Sequence, residues 1–181
     1  MKQYKKLVLT DFLVEKETED FKLKKELLDY FSLEIGNQFK GKITSEQISL
    51  EKKDFFQNQD FWKGLIPDSA ETLFLTGHAR YSQEIRKAIL EKTSERYQEP
   101  VSSAKGLAQR KFFTLALTLY IIDAETGEIL YERNFKESKG YPNPKQTANF
   151  AFFDLMQLIK AKFFRNIFGD ETLQQRYLVF D

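Results

Sequence analysis

Apolar and polar residues follow two different periods in successive segments of the chain. Residues 7–14 form a short apolar run rich in β-formers, which indicates a buried strand. From Phe21 to Phe39 the apolar residues recur at spacings of three and four, a pattern typical of an amphipathic helix. A further strand is predicted over residues 72–81, and Gly77 within it indicates a bulge or a close backbone approach.

The clearest pattern lies between residues 113 and 135. Every second residue from Phe113 to Ile121 is apolar, residues 123–128 have the composition of a turn, and residues 129–135 return as a partner strand. This arrangement predicts a β-hairpin. Both faces of its first strand are fairly apolar, so we expect a central strand that is covered on at least one side.

The pattern of the last long segment, from Pro144 onward, predicts a helix that ends at Gly169. Asn143 is the predicted cap and Pro144 the predicted first helical residue, where no amide hydrogen is needed. The apolar stripe consists of Phe152, Leu155, Met156, Ile159, Phe163 and Ile167. A final edge strand is predicted over residues 177–180.

Residues 82–110 depart from these patterns. Ile85, Ala88 and Ile89 have helical spacing among many charges, and residues 99–106 have the composition of a flexible loop. We therefore predict a long charged excursion or loop inside a single α/β domain spanning residues 1–181. The order of elements predicts an α/β fold in which a mixed β-sheet is packed by two main helices.

Composition narrows the classes of function. The 181 residues include 28 Lys and Arg and 27 Asp and Glu, a balance that does not favour a nucleic-acid partner. The sequence has no cysteine and only one histidine, His78, which excludes disulfides, thiolate zinc sites and multi-histidine metal sites. We predict no metal and no cofactor. No apolar run approaches the ~18 residues of a membrane helix.

Three polar residues are candidates for a ligand pocket. Alternation places His78 and Arg80 on one face of their strand, and Asp11 lies at the end of the first apolar run. A small-molecule or nucleotide-binding enzyme would need all three to converge in one pocket. No glycine-rich phosphate loop or Ser-His-Asp spacing accompanies them, so structural roles are the favoured interpretation and no catalytic residue is assigned.

The hairpin turn contains the acidic residues Asp123, Glu125 and Glu128. The spacing and length of a calcium-binding loop are missing. Asp, Thr and Gly are ordinary turn residues, so a structural turn is the favoured interpretation.

The chain is rich in phenylalanine, with 18 residues of this type. Most should lie in the core, because aromatic side chains bury large areas. The last helix is nevertheless apolar over more than one stripe, and such a surplus can form a protein–protein face. The partner-binding candidates are Phe150, Phe153, Phe164 and Phe168; for Phe164 and Phe168, burial in the core is favoured over an interface role.

Several motifs occur in a fixed order along most of the chain. Asp11-Phe12 precedes the first helix, Leu75-Thr76-Gly77 ends a later strand, and residues 119–130 form a hairpin containing Thr126-Gly127 before the terminal helix. This order resembles bacterial envelope domains related to the curli-secretion channel lipoprotein, the lipoprotein activator of penicillin-binding proteins and the N-terminal domain of the Tol-system propeller protein.

The resemblance implies a periplasmic α/β domain, associated with the outer membrane through a lipidated N-terminal cysteine, that binds a protein partner without catalysis. This chain has no cysteine, so such a tether would be removed before Met1; a cytoplasmic protein is the alternative. Residues 82–110 lack the alternating pattern of a membrane-inserted channel hairpin. An accessory lipoprotein is therefore favoured over a subunit of an oligomeric secretion channel. Homo-oligomerisation is left open.

Overall fold

The computed structural model describes residues 4–17, 21–67, 69–89, 107–143 and 145–168, and for residues 87–89, 107–109 and 168 the backbone alone. The strands are β1 (Lys6–Val14), β2 (Lys42–Glu46), β3 (Thr72–Ile89), β4 (Leu107–Asp123) and β5 (Ile129–Tyr141). The helices are α1 (Leu23–Gly36), α2 (Gln59–Lys63) and α3 (Ala148–Phe168), and a 3-10 helix spans Lys53–Gln57. The predicted first helix, hairpin and terminal helix are confirmed.

The five strands form one mixed sheet in the order β2-β1-β3-β4-β5. β1 runs parallel to both β2 and β3, whereas β3, β4 and β5 are successively antiparallel. β4 therefore lies inside the sheet, as its two apolar faces predicted. The structure is an α/β fold with a mixed sheet packed by helices.

Alternating side chains of the strands enter two separate apolar clusters. Odd-numbered residues such as Leu9 and Leu75 pack with α1 and α3 in the larger cluster. Even-numbered residues such as Phe74 pack with the 3-10 helix and α2 in the smaller one, where Trp62 is fully buried. Both main helices thus cover one face of the sheet, and the short helices cover one end of the other face.

A β-bulge interrupts β1 where it pairs with β3. Leu9 is in register with Leu75 and Phe12 with Gly77, so β1 has one more residue than β3 between these two pairs. A Cβ atom at Gly77 would contact the carbonyl oxygen of Thr118 and lie 2.9 Å from Cε1 of Phe12. The predicted close backbone approach at Gly77 is confirmed.

The charged segment 82–110 begins and ends as paired strand. β3 continues to Ile89 and β4 starts at Leu107, and these two residues are in register. The apolar residues there have helical spacing, but the segment forms strands instead of a helix. The long antiparallel pairing of β3 with β4 supplies backbone hydrogen bonds to both strands, and this outweighs the weak helical pattern. Residues 90–106, which make up most of the predicted excursion or loop over 82–110, lie outside the described residues. The single-domain prediction for 1–181 stays a prediction.

The start of α3 differs from the prediction. Oγ1 of Thr147 accepts a hydrogen bond from the Phe150 N–H at 3.4 Å, so Thr147 caps the helix. Asn143 instead accepts from the Lys145 N–H at 2.9 Å, which makes a local Asx turn before the helix. Pro144, the end of the helix at Gly169 and the predicted strand 177–180 lie outside the described residues.

Candidate functional site

Two aromatic side chains at the start of α3 lie outside the core. Phe150 is 57% exposed and Phe153 is 47% exposed, whereas Phe152 between them is fully buried. The helical period explains the difference, because successive residues point about 100° apart around the helix. We call Phe150 and Phe153, with the surface around them, the α3 surface.

Each of the two exposed rings of the α3 surface contacts the ring of a tyrosine from a neighbouring element. The Phe150 ring lies 6.1 Å from the Tyr141 ring of β5, and the Phe153 ring lies 6.2 Å from the Tyr30 ring of α1. These contacts restrict the rings while leaving about half of each side chain in water. The α3 surface is therefore a partly ordered apolar surface.

A charged group beside Phe150 fixes the β5 side of the α3 surface. Oδ2 of Asp154 accepts hydrogen bonds from Nζ of Lys139 and from the hydroxyl of Tyr141, each at 2.6 Å. The hydrogen bond from Lys139, followed by that from Tyr141, holds the pKa of Asp154 below its ordinary value. The Asp154 charge is thus compensated locally. Lys145, in the loop before α3, is exposed.

The other two aromatic candidates of α3 are placed differently. Phe164 is half-buried, packs on the larger core cluster and contacts the ring of Phe163 at 5.4 Å in an edge-to-face arrangement. This packing supports the core interpretation of Phe164. The side chain of Phe168 lies outside the described residues.

Asp11 lies inside β1, at the bulge, and the prediction that it ends the first strand is wrong, because the strand continues to Val14. Its side chain is only 7% exposed. Nζ of Lys24, at the start of α1, lies 2.7 Å from its Oδ2. The backbone carbonyl of Asp11 accepts a hydrogen bond from the hydroxyl of Thr76 at 2.9 Å. These contacts tie the bulge to α1 and β3, which is the structural role that the sequence favoured.

His78 and Arg80 meet a carboxylate at the end of β1. Nε2 of His78 lies 3.0 Å from Oε1 of Glu15, and Nε of Arg80 lies 3.6 Å from its Oε2. Nζ of Lys53, from the 3-10 helix, donates to the same Oε1 at 3.1 Å. We call Glu15, Lys53, His78 and Arg80 the Glu15 cluster.

The Glu15 cluster shifts two ionisation equilibria. The hydrogen bond from Lys53 holds the pKa of Glu15 below its ordinary value. Burial, and then the charge of Lys53, lower the pKa of His78 by more than Glu15 raises it. His78 is therefore a neutral side chain near pH 7 within the cluster.

The three pocket candidates separate into two groups. His78 and Arg80 come together, as alternation along the strand predicted. Asp11 pairs with Lys24 and lines a different surface depression from the one that Arg80 lines. Among the described residues no single pocket gathers all three side chains.

Sequence reasoning missed Glu15 and Lys53, the two partners that complete the cluster. Glu15 reaches His78 and Arg80 because β1 pairs in parallel with β3, and the Glu15 N–H donates to the Ala79 carbonyl at 3.1 Å. Parallel pairing between distant segments leaves no local signal in the sequence. Lys53 lies in the 3-10 helix and reaches Glu15 through packing between distant segments.

The acidic turn between β4 and β5 is a structural turn. Oδ1 of Asp123 accepts from the backbone N–H groups of Glu125 and Thr126 at 2.8 and 2.9 Å, and its Oδ2 accepts from the Tyr4 hydroxyl at 2.8 Å. Gly127 has a φ of 71°, a conformation that glycine adopts without strain. Asp123 thus anchors both the turn and the N-terminal segment.

The described residues contain neither a cluster of metal ligands nor a membrane-spanning helix. Over residues 4–17, 21–67, 69–89, 107–143 and 145–168, no three His, Asp or Glu side chains are grouped so that they could hold a metal ion. Within this same part of the chain, no helix is both long enough and apolar enough to cross a bilayer.

The chain matches no protein-family model and no curated protein sequence. It is similar to a neuraminyllactose-binding hemagglutinin homolog from Helicobacter pylori, with 12% identity and a TM-score of 0.47 over 97% of this chain and 87% of that chain. Lipoprotein GNA1162 from Neisseria meningitidis has 13% identity and a TM-score of 0.46, over 90% of this chain and 97% of that chain. A PelC dodecamer from Paraburkholderia phytofirmans has 11% identity and a TM-score of 0.43, over 82% and 80%. At these low scores and identities, none of these proteins lends the chain a function, a partner or a location.

Proposed function

We propose that this chain is a non-catalytic accessory protein of the bacterial cell envelope that binds another protein through the α3 surface. The single observation that carries the proposal is the exposure of Phe150 and Phe153, 57% and 47%, on a helix whose other described aromatic side chains are buried or half-buried. Large aromatic side chains exposed as neighbours are unusual on a surface that has no partner.

The physics of protein interfaces supports this role for the two rings. Aromatic side chains are enriched at the centres of interfaces, where they contribute much of the binding free energy. Phenylalanine loses little conformational entropy on binding, and the contacts with Tyr141 and Tyr30 already restrict these two rings. The α3 surface can therefore bury apolar area with a small ordering cost.

The charges around Phe150 define the chemistry of the partner. Lys139 lies over the Tyr141 ring that Phe150 contacts, and its ammonium group is paired with Asp154. Lys145, in the loop before α3, is exposed. A complementary surface would offer aliphatic side chains at its centre and carboxylates at its rim, because rim charges steer association and fix orientation. We propose a folded envelope protein with such a patch as the partner.

The envelope location rests on the order of motifs along the chain. The order of the Asp11-Phe12 step, the Leu75-Thr76-Gly77 step, the Thr126-Gly127 hairpin and the terminal helix resembles periplasmic lipoprotein domains in sequence. In the structure the Leu75-Thr76-Gly77 step does not end a strand but lies inside β3, which continues to Ile89. A lipid tether upstream of Met1 belongs to the same proposal. Mass spectrometry of the protein from its own cells would detect or exclude a lipidated cysteine.

Site-specific photo-crosslinking in the native cells tests the binding surface. A photoreactive residue at position 150 or 153 should crosslink one envelope protein, and peptide mapping should place the crosslink on an apolar patch with an acidic rim. Position 130 is the matched control, because Leu130 is 48% exposed but lies at the start of β5, at the opposite end of the strand from the Tyr141 ring that Phe150 contacts. Equal crosslinking from all three positions, or none from 150 and 153, would contradict the proposal.

A further inference from the structure

A large open depression lies beside the Glu15 cluster, where β1 ends and the loop before α3 crosses β3. Its volume is about 1120 Å³. Residues 80–83 of β3 form one wall and residues 145–149 form another. The lining is completed by Glu15, Lys16, Phe21 and Lys111. This volume slightly exceeds the range of about 300–1,000 Å³ that is usual for small-molecule sites.

The walls of the depression are held in place by two hydrogen bonds. The Tyr81 hydroxyl donates to the Ala148 carbonyl at 2.8 Å, and Nζ of Lys111 donates to the Gln146 carbonyl at 2.9 Å. Both bonds join the sheet to the loop before α3. The depression is therefore formed before any ligand binds, which lowers the ordering cost of binding.

The lining carries a strong excess of positive charge. Four cationic side chains, Lys16, Arg80, Lys111 and Lys145, line the depression together with one carboxylate, Glu15. Glu15 pairs with Arg80 of the lining and is also in contact with Lys53 and His78, so its charge is shared with groups outside the lining. The chain as a whole has a net charge of only +1, so the positive charge is concentrated here. A concave surface lined by one sign of charge focuses the potential and raises the local concentration of counter-ions.

We infer that this depression binds a small multivalent anion that carries two or more phosphate or carboxylate groups. The cationic side chains come from different walls, so one anionic group cannot approach all of them, whereas a ligand with several groups can. Lysine and arginine are the usual protein partners of phosphate and carboxylate oxygens. Ser82, Gln83 and Asn149 add hydroxyl and amide groups to the lining for the neutral parts of the ligand. This site is separate from the aromatic rings of the α3 surface and goes beyond the proposed protein binding.

Amide NMR titration of the complete protein tests the inference, with tripolyphosphate and citrate as the multivalent probes and monophosphate as the single-group probe. Both multivalent anions should shift the amide signals of residues 80–83 and 145–149 saturably, and monophosphate should bind at least about tenfold more weakly. A preference for tripolyphosphate would identify phosphate as the natural group, and a preference for citrate would identify carboxylate.

Charge-matched variants separate a site from general attraction to a basic protein. R80Q/K145Q should weaken tripolyphosphate binding at least about tenfold, because two of the four cations are lost. K40Q/K42Q removes the same charge from exposed positions outside the depression and should change the affinity less than about twofold. The single variant K145E, at an exposed loop position, gives a second test if the double variant unfolds. Unsaturable shifts, or equal weakening in both double variants, would overturn the inference. Because Phe150 and Phe153 are unchanged throughout, failure here leaves the proposed protein binding standing.

Discussion

Nε2 of His78 lies 3.0 Å from Oε1 of Glu15, on the face of the sheet that the short helices partly cover. Lys53 of the 3-10 helix reaches the same carboxylate oxygen at 3.1 Å. The contact thus joins three chain segments: the end of β1, the middle of β3 and the helical cover over the sheet. It also makes the only histidine of the chain sensitive to its folded surroundings.

We expect His78 to lower the stability of the fold as the solution becomes acidic. Its folded pKa lies below the ordinary value of 6.5, because burial and the charge of Lys53 disfavour the imidazolium. The unfolded chain therefore takes up this proton first, and stability falls as pH decreases from about 6.5 through the folded pKa. Glu15, whose pKa is also lowered, adds a second loss below pH 4.5. An NMR titration of the imidazole should give a midpoint below 6.5.

The variant H78Q isolates the histidine contribution to this pH dependence. Urea unfolding between pH 7.5 and 5 should show a smaller loss of stability in H78Q than in the natural protein, because glutamine does not titrate. A midpoint at or above 6.5, or identical pH dependence in both proteins, would show that the Glu15 cluster does not disfavour the imidazolium.

Substitution of Gly77 by alanine should destabilise the protein by about 1–3 kcal/mol, because the added methyl group overpacks the β1–β3–β4 junction. The new Cβ would lie 2.9 Å from Cε1 of Phe12 and would also contact the carbonyl of Thr118. Gly36 is the matched control, since a Cβ there meets nothing within 4 Å at the end of α1. Gly36→Ala should be stabilising by about 0.4–1 kcal/mol. Urea denaturation of both variants measures the contrast.

Truncation of Phe163 should cost about 3–5 kcal/mol, whereas Phe150→Ala should change stability by no more than about 0.5 kcal/mol. Phe163 is 1% exposed and contacts the rings of Phe31 and Phe135, so alanine would leave a cavity. Phe150 already lies largely in water. Equal costs for the two variants would mean that Phe150 belongs to the core and that the α3 surface does not exist as described.

Asp123→Ala should lower the free energy of unfolding by about 1–2 kcal/mol, because the carboxylate accepts several hydrogen bonds at once. The variant loses the two turn N–H bonds and the bond from Tyr4. Glu125→Ala, in the same turn at an exposed position, should be close to neutral. Thermal unfolding of the pair measures the difference, and matching midpoints would show that the turn does not depend on Asp123.

Local periodicity predicted most of the secondary structure, because each face of a strand or helix meets a single environment. The alternation from Phe113 to Ile121 identified β4, and the spacing of three and four from Phe21 identified α1. The extension of β3 to Ile89 was not predicted, because it depends on pairing with β4 rather than on the apolar pattern of its own residues. The cap of α3 was misplaced at Asn143 because asparagine is a stronger cap by residue type than threonine, whereas in the structure Thr147 makes the capping hydrogen bond.

The sequence predicted only those features of the candidate sites that depend on neighbouring residues of the same strand or helix. Alternation placed His78 and Arg80 on one face, but Glu15 and Lys53 reach them through strand pairing and helix packing between distant segments. The width of the apolar stripe predicted surplus aromatic residues on α3. It did not decide which of Phe150, Phe153 and Phe164 would be exposed, because that depends on where α1 and β5 lie beside the helix.

The measurement that tests the central claim most directly is the affinity of F150S/F153S for the envelope protein that crosslinks at these positions. We expect the dissociation constant to rise at least about tenfold, equivalent to about 1.4 kcal/mol, while the unfolding midpoint stays that of the natural protein. The control L130S should bind like the natural protein. Unchanged affinity in F150S/F153S, with the fold intact, would contradict the assignment of the α3 surface as the binding site.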